Sequence, residues 1–301
     1  MIRVILDCDP GHDDAIAILL AAGLETIDLR LITTVVGNHT LANTTRNALS
    51  VLALAGIEDV PVAAGRDRPL VGEPVIAPDI HGASGIDGAE LPEPVAPVSD
   101  RHAVDLLVEQ ATAEVALVAT GPLSNVADAI RRGARPGQVI WMGGAIGIGN
   151  VTPAAEFNAY ADPEAVALVL ASGIPFTIVP LELTHQALAS ADVLARIAAL
   201  REPIGPALVG LMRFFESTYR EVFGFPSPPV HDPCTIAYLA RPELFGTEQL
   251  YVEVETEGRF TRGRTVVDHH MRMGRAANAT VVTSIDVPGF WDVVLAALGR
   301  L

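Results

Sequence analysis

Short runs of apolar, often β-branched residues alternate with Ala- and Leu-rich stretches along the first part of the chain. Strands that are covered on both faces carry near-continuous apolar residues, so these runs predict buried strands. The predicted strands are Ile2–Leu6, Leu29–Val36, Val115–Ala119, Val139–Met142 and Phe176–Leu181.

Helices are predicted between these strands, where Ala and Leu recur and a Gly or a capping residue marks an end. They cover Ala15–Ala22, Leu41–Ala55, Leu123–Arg132 and a segment from Asp162 to Gly173. Asp162 is a capping residue, and Pro163 fits a first helical turn. Alternating strands and helices predict an α/β fold with a mostly parallel, Rossmann-like open sheet flanked by helices. Ligands of such sheets bind beyond the carboxyl ends of the strands.

The later part of the chain has a different pattern. Ile204–Phe223 is a long helical candidate that carries several aromatic residues. Gln249–Glu257 and Thr265–Asp268 alternate apolar and polar residues, which predicts a small antiparallel extension of the sheet. The Pro-rich segment Glu90–Val98 is short and indicates a surface loop rather than a linker. We therefore expect one domain that spans residues 1–301.

Composition and charge narrow the function classes. Half of the 301 residues are hydrophobic, which is enough for a sizeable core without stapling disulfides. The net charge of −16 argues against a nucleic-acid partner, which needs clustered Lys and Arg. It argues equally against an anionic membrane surface. A neutral nucleoside or a metal cation remains compatible with this charge.

The chain holds only two cysteines, Cys8 and Cys234, and we expect both to pack in the core as small hydrophobic residues. A disulfide framework is not expected, and a reducing cytosol is the simplest compartment. An acidic residue, Asp7, interrupts the N-terminal segment before a signal-peptide core forms. The apolar stretch Ala15–Leu24 is shorter than the roughly 20 residues that span a bilayer. We expect a cytoplasmic protein.

The strongest local signal is the acidic segment Asp7–Asp14, which reads Asp-Cys-Asp-Pro-Gly-His-Asp-Asp between a predicted strand and a predicted helix. Helix capping by Asp13 or Asp14 accounts for one or two of its carboxylates and leaves the others unexplained. Carboxylates crowded at a buried sheet edge repel one another unless a cation is present. A hard divalent ion with oxygen ligands resolves that conflict, so the segment predicts a metal site.

An Asp-x-Asp sequence after the first strand also opens phosphatases of the haloacid-dehalogenase type. There the first Asp is a nucleophile and the metal is Mg²⁺. Such an enzyme would place a Thr and a hydrophobic pair after the motif, whereas Pro10 and Gly11 follow it in this chain. It would also need a basic clamp for phosphate, which suits this acidic chain poorly.

The segment Asp7–Asp14, followed by Ala15, Ile16 and Ala17, resembles the signature of the nucleoside hydrolase family. The resemblance continues in the family's order along almost the whole chain, and it is particularly close to bacterial pyrimidine-preferring ribonucleoside hydrolases. The other matching blocks are Thr33–Asn38, His81–Gly85, Thr120–Asn125, Met142–Gly144, Glu156–Asn158 and His231–Cys234.

The resemblance implies hydrolysis of the N-glycosidic bond of ribonucleosides, with uridine and cytidine favoured. It implies a Ca²⁺ ion held by the carboxylates of Asp9, Asp14 and Asp232 and by the backbone carbonyl of Thr120. Asp9 is then the base that takes a proton from water, and His231 is the acid that protonates the departing nucleobase. For Asp232 alone, capping of a helix that begins at Pro233 is the simpler reading.

The resemblance also implies residues that contact the substrate. The ribose contacts are Asp13, Asn38, Asn150, Glu156 and Asn158, and the base contacts are His81, Tyr219 and Phe223. Asn38 and Asn150 each follow a Gly, so turn formation is an equal alternative for both. Tyr219 and Phe223 lie four residues apart on one helix face, which is also typical of core residues. His12 stands where some family members carry an apolar residue, and we interpret it as tolerated variation.

The family resemblance further implies a homodimer or homotetramer. A non-catalytic nucleoside or ribose binder on the same fold is the remaining alternative. Such a binder would be expected to lack the base or the acid, yet Asp9 and His231 are both present.

Overall fold

The computed structural model describes residues 1–301 and contains ten strands and twelve α-helices. The strands are β1 Ile2–Cys8, β2 Ile27–Thr34, β3 Val62–Ala64, β4 Val115–Ala119, β5 Gln138–Met142, β6 Phe176–Val179, β7 Phe245–Leu250, β8 Val252–Val254, β9 Thr265–Val267 and β10 Ala279–Ile285. The helices are α1 His12–Gly23, α2 Leu41–Leu54, α3 Pro78–His81, α4 Ala103–Gln110, α5 Ser124–Arg131, α6 Phe157–Ala161, α7 Pro163–Ala171, α8 Leu181–Thr184, α9 Ala191–Ala198, α10 Ile204–Phe223, α11 Pro233–Ala240 and α12 Val287–Leu298.

Eight strands form one sheet in the order β3-β2-β1-β4-β5-β6-β10-β7. Neighbouring strands are parallel from β3 to β10, and only the edge strand β7 runs antiparallel. The predicted α/β class with a mostly parallel central sheet is therefore confirmed.

The predicted antiparallel extension is confirmed, since Val252–Val254 pairs with Thr265–Val267. The run Gln249–Glu257 is divided at Tyr251, so that its first part belongs to β7 of the main sheet and its second part contains β8. Strand β8 pairs only with β9, as a separate two-stranded antiparallel sheet. The main sheet is completed by β10, which the apolar pattern did not predict because Thr and Ser interrupt it.

The sheet separates two apolar cores. Side chains alternate across a strand, so Val4 and Leu6 of β1 enter one core while Ile5 enters the other. The first core holds α1, which packs against α2, α10, α11 and α12, and the second holds α4, α5 and α7. Cys8 and Cys234 are buried in the first core and unpaired, as predicted.

Local signals fix several helix ends. The Asp162 carboxylate accepts a hydrogen bond from the Ala165 backbone N–H, which confirms the predicted start of α7. Helix α10 ends at Gly224, whose φ of +72° lies in the left-handed region that favours glycine. None of the helices combines the length and apolar character that a bilayer crossing requires.

The order of the strands creates a crevice beside β1. The chain passes from β1 to β2 and β3 on one side, and then returns to β4, β5 and β6 on the other. The connections that follow β1 and β4 therefore diverge at the carboxyl edge of the sheet. The acidic segment follows β1, and Thr120 follows β4, so both lie at this crevice.

Candidate active site

One cavity lies at the crevice and gathers most of the predicted site residues. All but two of them line it, and the exceptions, Asp9 and Asp14, contact side chains or backbone of lining residues. The predicted residues that line the cavity are Asp13, Asn38, His81, Thr120, Asn150, Glu156, Asn158, Tyr219, Phe223, His231 and Asp232. Residues from distant parts of the chain thus meet at one edge of the sheet.

Three buried carboxylates form the tightest acidic group of the cavity. Asp13, Asp14 and Asp232 each offer an oxygen, and these oxygens lie within 4.8 Å of one another. The first turn of α1 carries Asp13 and Asp14, and Asp232 stands just before α11. The Asp232 side chain makes no capping hydrogen bond, so capping does not explain it. Asp13, which the sequence analysis assigned to the ribose, is a member of this group, and Asp9, which it assigned to the metal, lies outside it.

The buried carboxylates of this group repel one another, and a bound cation would offset that repulsion. Burial is the larger cause of raised pKa values here, and repulsion from neighbouring carboxylates is the next. Together they raise the pKa of Asp232 well above its ordinary value and the pKa of Asp13 to about 7. No Lys or Arg lines the cavity. An all-oxygen donor set with excess negative charge fits a hard divalent ion. These residues could therefore hold a metal.

Asp9 lies beside this group with one oxygen unused. Its Oδ2 accepts a hydrogen bond from the Asn38 backbone N–H at 2.7 Å, while its buried Oδ1 has no partner. A Cβ at Gly37 would lie 2.0 Å from Oδ2, and one at Gly121 would lie 2.5 Å from Oδ1, so both glycines are needed for the carboxylate to fit. Burial and the nearby Asp14 raise the pKa of Asp9. Oδ1 is thus free to accept a proton or to bind a cation.

Asp7 belongs to the scaffold behind the cavity. Its Oδ1 accepts hydrogen bonds from the Thr33 hydroxyl at 2.5 Å and from the Asn125 amide at 2.8 Å. Asn125 also donates to the Thr34 carbonyl at 2.9 Å. This network ties the ends of β1 and β2 to α5, and it lies away from the cavity lining.

Polar side chains beyond β5 form another wall. Asn158 donates to the Thr120 carbonyl at 2.7 Å and to the Met142 carbonyl at 3.0 Å. Glu156 accepts from the backbone N–H groups of Gly144 and Asn158. Burial nevertheless raises the pKa of Glu156 to about 7. A carbonyl oxygen has two lone pairs, so Thr120 retains one for a further partner.

The two asparagines that follow glycines also line the cavity, and each makes local contacts. Asn38 donates from its amide to the Asp9 carbonyl at 3.1 Å and to Asp14 Oδ2 at 3.2 Å. Asn150 accepts from the Phe157 N–H at 2.8 Å. A local structural role and a place at the cavity are therefore combined in each residue.

Both ring nitrogens of His231 are engaged. Nδ1 lies 2.7 Å from the Thr184 hydroxyl, and Nε2 lies 2.7 Å from the Tyr219 hydroxyl. Burial lowers the pKa of His231 and raises that of Tyr219. The sequence did not single out Thr184, since a Thr at the end of a short helix carries no signal of its own. Both nitrogens of His231 are therefore hydrogen-bonded within the protein, one of them to a Tyr219 hydroxyl whose residue lines the cavity.

Aromatic rings on α10 also line the cavity. Tyr219 packs against Phe215 and Phe223, with ring centroids 4.5 and 5.0 Å away. All three rings border the cavity, so the spacing of four residues between Tyr219 and Phe223 reflects a cavity wall as well as packing. His81, at the end of α3, borders the same cavity.

Comparisons with known proteins identify the family of this chain. Residues 4–292 match the family described as inosine-uridine preferring nucleoside hydrolase. The chain is 45% identical to the pyrimidine-specific ribonucleoside hydrolase RihA of Shewanella woodyi, over 98% of this chain and 97% of that protein. It is also 45% identical to the corresponding protein of Citrobacter koseri, over 97% and 96%.

The fold is also similar to that of a ribonucleoside hydrolase whose structure has been solved. The fold superimposes on a purine-preferring ribonucleoside hydrolase from Gardnerella vaginalis with a TM-score of 0.91 and 30% identity, over 99% of this chain and 98% of that chain. The chain belongs to the inosine-uridine preferring nucleoside hydrolase family.

Proposed function

We propose that this protein hydrolyses the N-glycosidic bond of ribonucleosides to free base and ribose. The observation that carries the proposal is the unpartnered, buried Oδ1 of Asp9 beside the carboxylates of Asp13, Asp14 and Asp232. Polar groups and aromatic rings of α10 both line the cavity that contains these acids. Such a cavity suits a ligand with a hydroxyl-rich end and a flat ring.

We assign Ca²⁺ to the acidic group. Asp9, Asp14 and Asp232 would hold it with the Thr120 carbonyl, and Asp13 adjoins them. When bound, the ion supplies the Lewis acidity that makes water a better nucleophile and the positive charge that offsets the carboxylates.

Asp9 takes the proton of the attacking water in this proposal. Its buried Oδ1 has no competing hydrogen bond, so it can accept this proton. The transition state of glycoside cleavage is oxocarbenium-like. The same carboxylates stabilise the positive charge that develops on the ribose.

The ribose hydroxyls would be held by the polar wall. Carboxylates accept hydrogen bonds, and amides both donate and accept, so together they orient several hydroxyls at once. The residues assigned to this role are Asp13, Asn38, Asn150, Glu156 and Asn158.

The leaving base would receive its proton through Tyr219. Both nitrogens of His231 are engaged, and the Tyr219 hydroxyl connects its Nε2 to the cavity. The Tyr219 hydroxyl proton moves to the base as the Nε2 proton of a doubly protonated His231 moves to the Tyr219 oxygen, which leaves a neutral imidazole. Phe223 would pack against the base, and His81 would border it.

We infer that uridine and cytidine are the favoured substrates. The support is the 45% identity to proteins named as pyrimidine-specific, compared with 30% identity to a purine-preferring enzyme. We propose a cytoplasmic homodimer or homotetramer in which residues 1–301 form one domain. The two buried, unpaired cysteines agree with a reducing compartment.

The alternatives have less support. A phosphatase needs cationic groups for phosphate, and the cavity wall has none. A non-catalytic binder is distinguished from an enzyme by turnover, since both would bind nucleosides.

The deciding experiment measures ribose release from uridine, cytidine, inosine and adenosine. Wild type, Asp9→Asn and the control Asp128→Asn are compared, with added Ca²⁺ and after chelation. Asp128 pairs with Arg66 away from the cavity, so its variant controls for the loss of a carboxylate. We expect release by wild type and the control, and loss with Asp9→Asn or chelator. Nucleoside binding without release by folded, Ca²⁺-loaded wild type would favour a binder.

A further inference from the structure

His12 occupies an unexpected environment for a variable residue. Its imidazole is fully buried at the start of α1, next to the acidic pair that follows it. The ring stacks against Phe214 and Phe215, with ring centroids 5.2 Å away in each case, and against His81 at 5.3 Å. Tolerated variation does not explain a polar ring held in this way.

Each ring nitrogen of His12 has one hydrogen-bond partner. Nδ1 lies 3.1 Å from Nδ1 of His81, and Nε2 lies 2.7 Å from the backbone carbonyl oxygen of Asp87. The Asp87 carboxylate in turn accepts the backbone N–H groups of Ala83 and Ser84 at 2.9 and 3.0 Å. His12 thus fastens both ends of the loop 81–87 to the start of α1.

The hydrogen-bond partners of His12 determine which ring nitrogens of His12 and His81 carry a hydrogen. A carbonyl oxygen only accepts, so Nε2 of His12 carries a hydrogen. No carboxylate bonds to the ring, and a buried charge without a partner is costly, so the ring is neutral and its Nδ1 holds a lone pair. The hydrogen between the two rings therefore belongs to Nδ1 of His81.

The other ring nitrogen of His81 is not used by the protein. Nε2 of His81 has no hydrogen-bond partner in the protein. It is also not one of the fully buried side-chain atoms that lack a partner. His81 itself borders the cavity. With its hydrogen on Nδ1, a neutral His81 presents a lone pair there.

We propose that His12 is a positioning residue that fixes the orientation of His81 and its Nδ1–H tautomer, so that His81 offers the bound nucleoside a hydrogen-bond acceptor. The inference rests on the proposed function for the identity of the ligand. The matching ligand group is an N–H donor, such as the ring N–H of uracil or the amino group of cytosine.

The first test observes the tautomers without activity. Two-bond ¹H–¹⁵N correlation spectra of ¹⁵N-histidine-labelled protein at neutral pH distinguish Nδ1–H, Nε2–H and doubly protonated rings. Spectra of His12→Gln and His81→Gln assign the signals. We expect the Nε2–H pattern for His12 and the Nδ1–H pattern for His81. An Nε2–H or doubly protonated His81 overturns the proposal, whether or not the protein hydrolyses nucleosides.

The second test measures kinetics with uridine. His12→Leu keeps a similar volume but removes both hydrogen bonds, whereas the Gln of His12→Gln donates to the Asp87 carbonyl and accepts from His81. Phe214→Leu is the matched control, because it alters packing on His12 and leaves its hydrogen bonds in place. All three variants are compared by thermal unfolding.

We expect His12→Leu to raise KM for uridine about tenfold, as for loss of one oriented hydrogen bond, with a smaller effect on kcat. His12→Gln should recover most of the loss, and Phe214→Leu should stay near wild type. Equal losses in His12→Leu and His12→Gln, or unchanged kinetics in His12→Leu, would overturn the positioning role. Absence of ribose release by wild type would instead refute the proposed function, and the spectra would still decide the tautomer.

Discussion

The hydroxyl of Tyr219 lies 2.7 Å from Nε2 of His231, and Nδ1 of the same imidazole is hydrogen-bonded to Thr184. The imidazole therefore has no nitrogen left for a substrate. Because Tyr219 borders the cavity, we propose that its hydroxyl is the group through which this pair reaches a leaving base. This relationship leads to the first prediction.

Tyr219→Phe should lower kcat for uridine about 100-fold, because general acid catalysis of base departure contributes a factor of that order. The effect should be small for a nitrophenyl riboside, whose nitrophenolate departs without a proton. Steady-state kinetics with both substrates measure the difference. Tyr238→Phe, which removes a hydroxyl from α11 outside the cavity, is the matched control. Equal losses on both substrates would show that Tyr219 acts in another way.

Gly121→Ala should impair catalysis through Asp9. The added Cβ would lie 2.5 Å from Asp9 Oδ1, so the carboxylate must move, and misplacement by about 1 Å can cost roughly 100-fold in rate. We expect kcat for uridine to fall by that order while the protein stays folded. In the control Gly147→Ala, the nearest atom would be Glu182 Oε1 at 3.3 Å. Wild-type kcat in Gly121→Ala would contradict the assigned position of the base.

Asp14→Asn should weaken Ca²⁺ binding about 100-fold, because it removes one charged ligand from a group of buried carboxylates. Isothermal titration calorimetry on chelator-treated protein measures the affinity. The variant should also lose the rise in unfolding temperature that Ca²⁺ gives the wild type, since an ion that binds only the folded state stabilises it. Asp128→Asn serves again as the control. Unchanged affinity in Asp14→Asn would remove this residue from the metal site.

Asp7→Asn should change how stability depends on pH. Burial raises the pKa of Asp7 from its ordinary 3.8 to about 7 in the folded protein. The folded state therefore binds the proton more tightly than the unfolded state does. The resulting stabilisation is complete below the unfolded pKa and is lost as the pH rises through about 7.

Asn resembles the protonated carboxyl, so the variant should be more stable than wild type at pH 8, by on the order of 2 kcal/mol. The advantage should disappear near pH 4. Denaturant unfolding of both proteins across this range, at fixed Ca²⁺, measures the difference. A variant that is less stable than wild type at pH 8 would show that the Asp7 carboxylate is stabilising there, against the prediction.

The sequence predicted strands best where a run of apolar residues marked them. Strands β1, β4 and β5 carry mostly apolar residues, interrupted in the predicted β1 only by Arg3, and the prediction located them. Strand β3 spans only Val62–Ala64, too short to show a pattern, and Thr and Ser interrupt the apolar residues of β10. The prediction missed the two strands for these reasons.

For the site as well, some features follow from the sequence and others only from the tertiary structure. By itself, the sequence determined the α/β class, the acidic segment after β1 and the family, because these depend on residues that are adjacent or ordered along the chain. Only the tertiary structure decided that Asp13 joins Asp14 and Asp232, that Oδ1 of Asp9 has no partner, and which atoms His231 contacts. It alone brought His12 to His81, 69 positions away. Contacts of this kind depend on how the helices pack at the edge of the sheet, and no local pattern of residues encodes them.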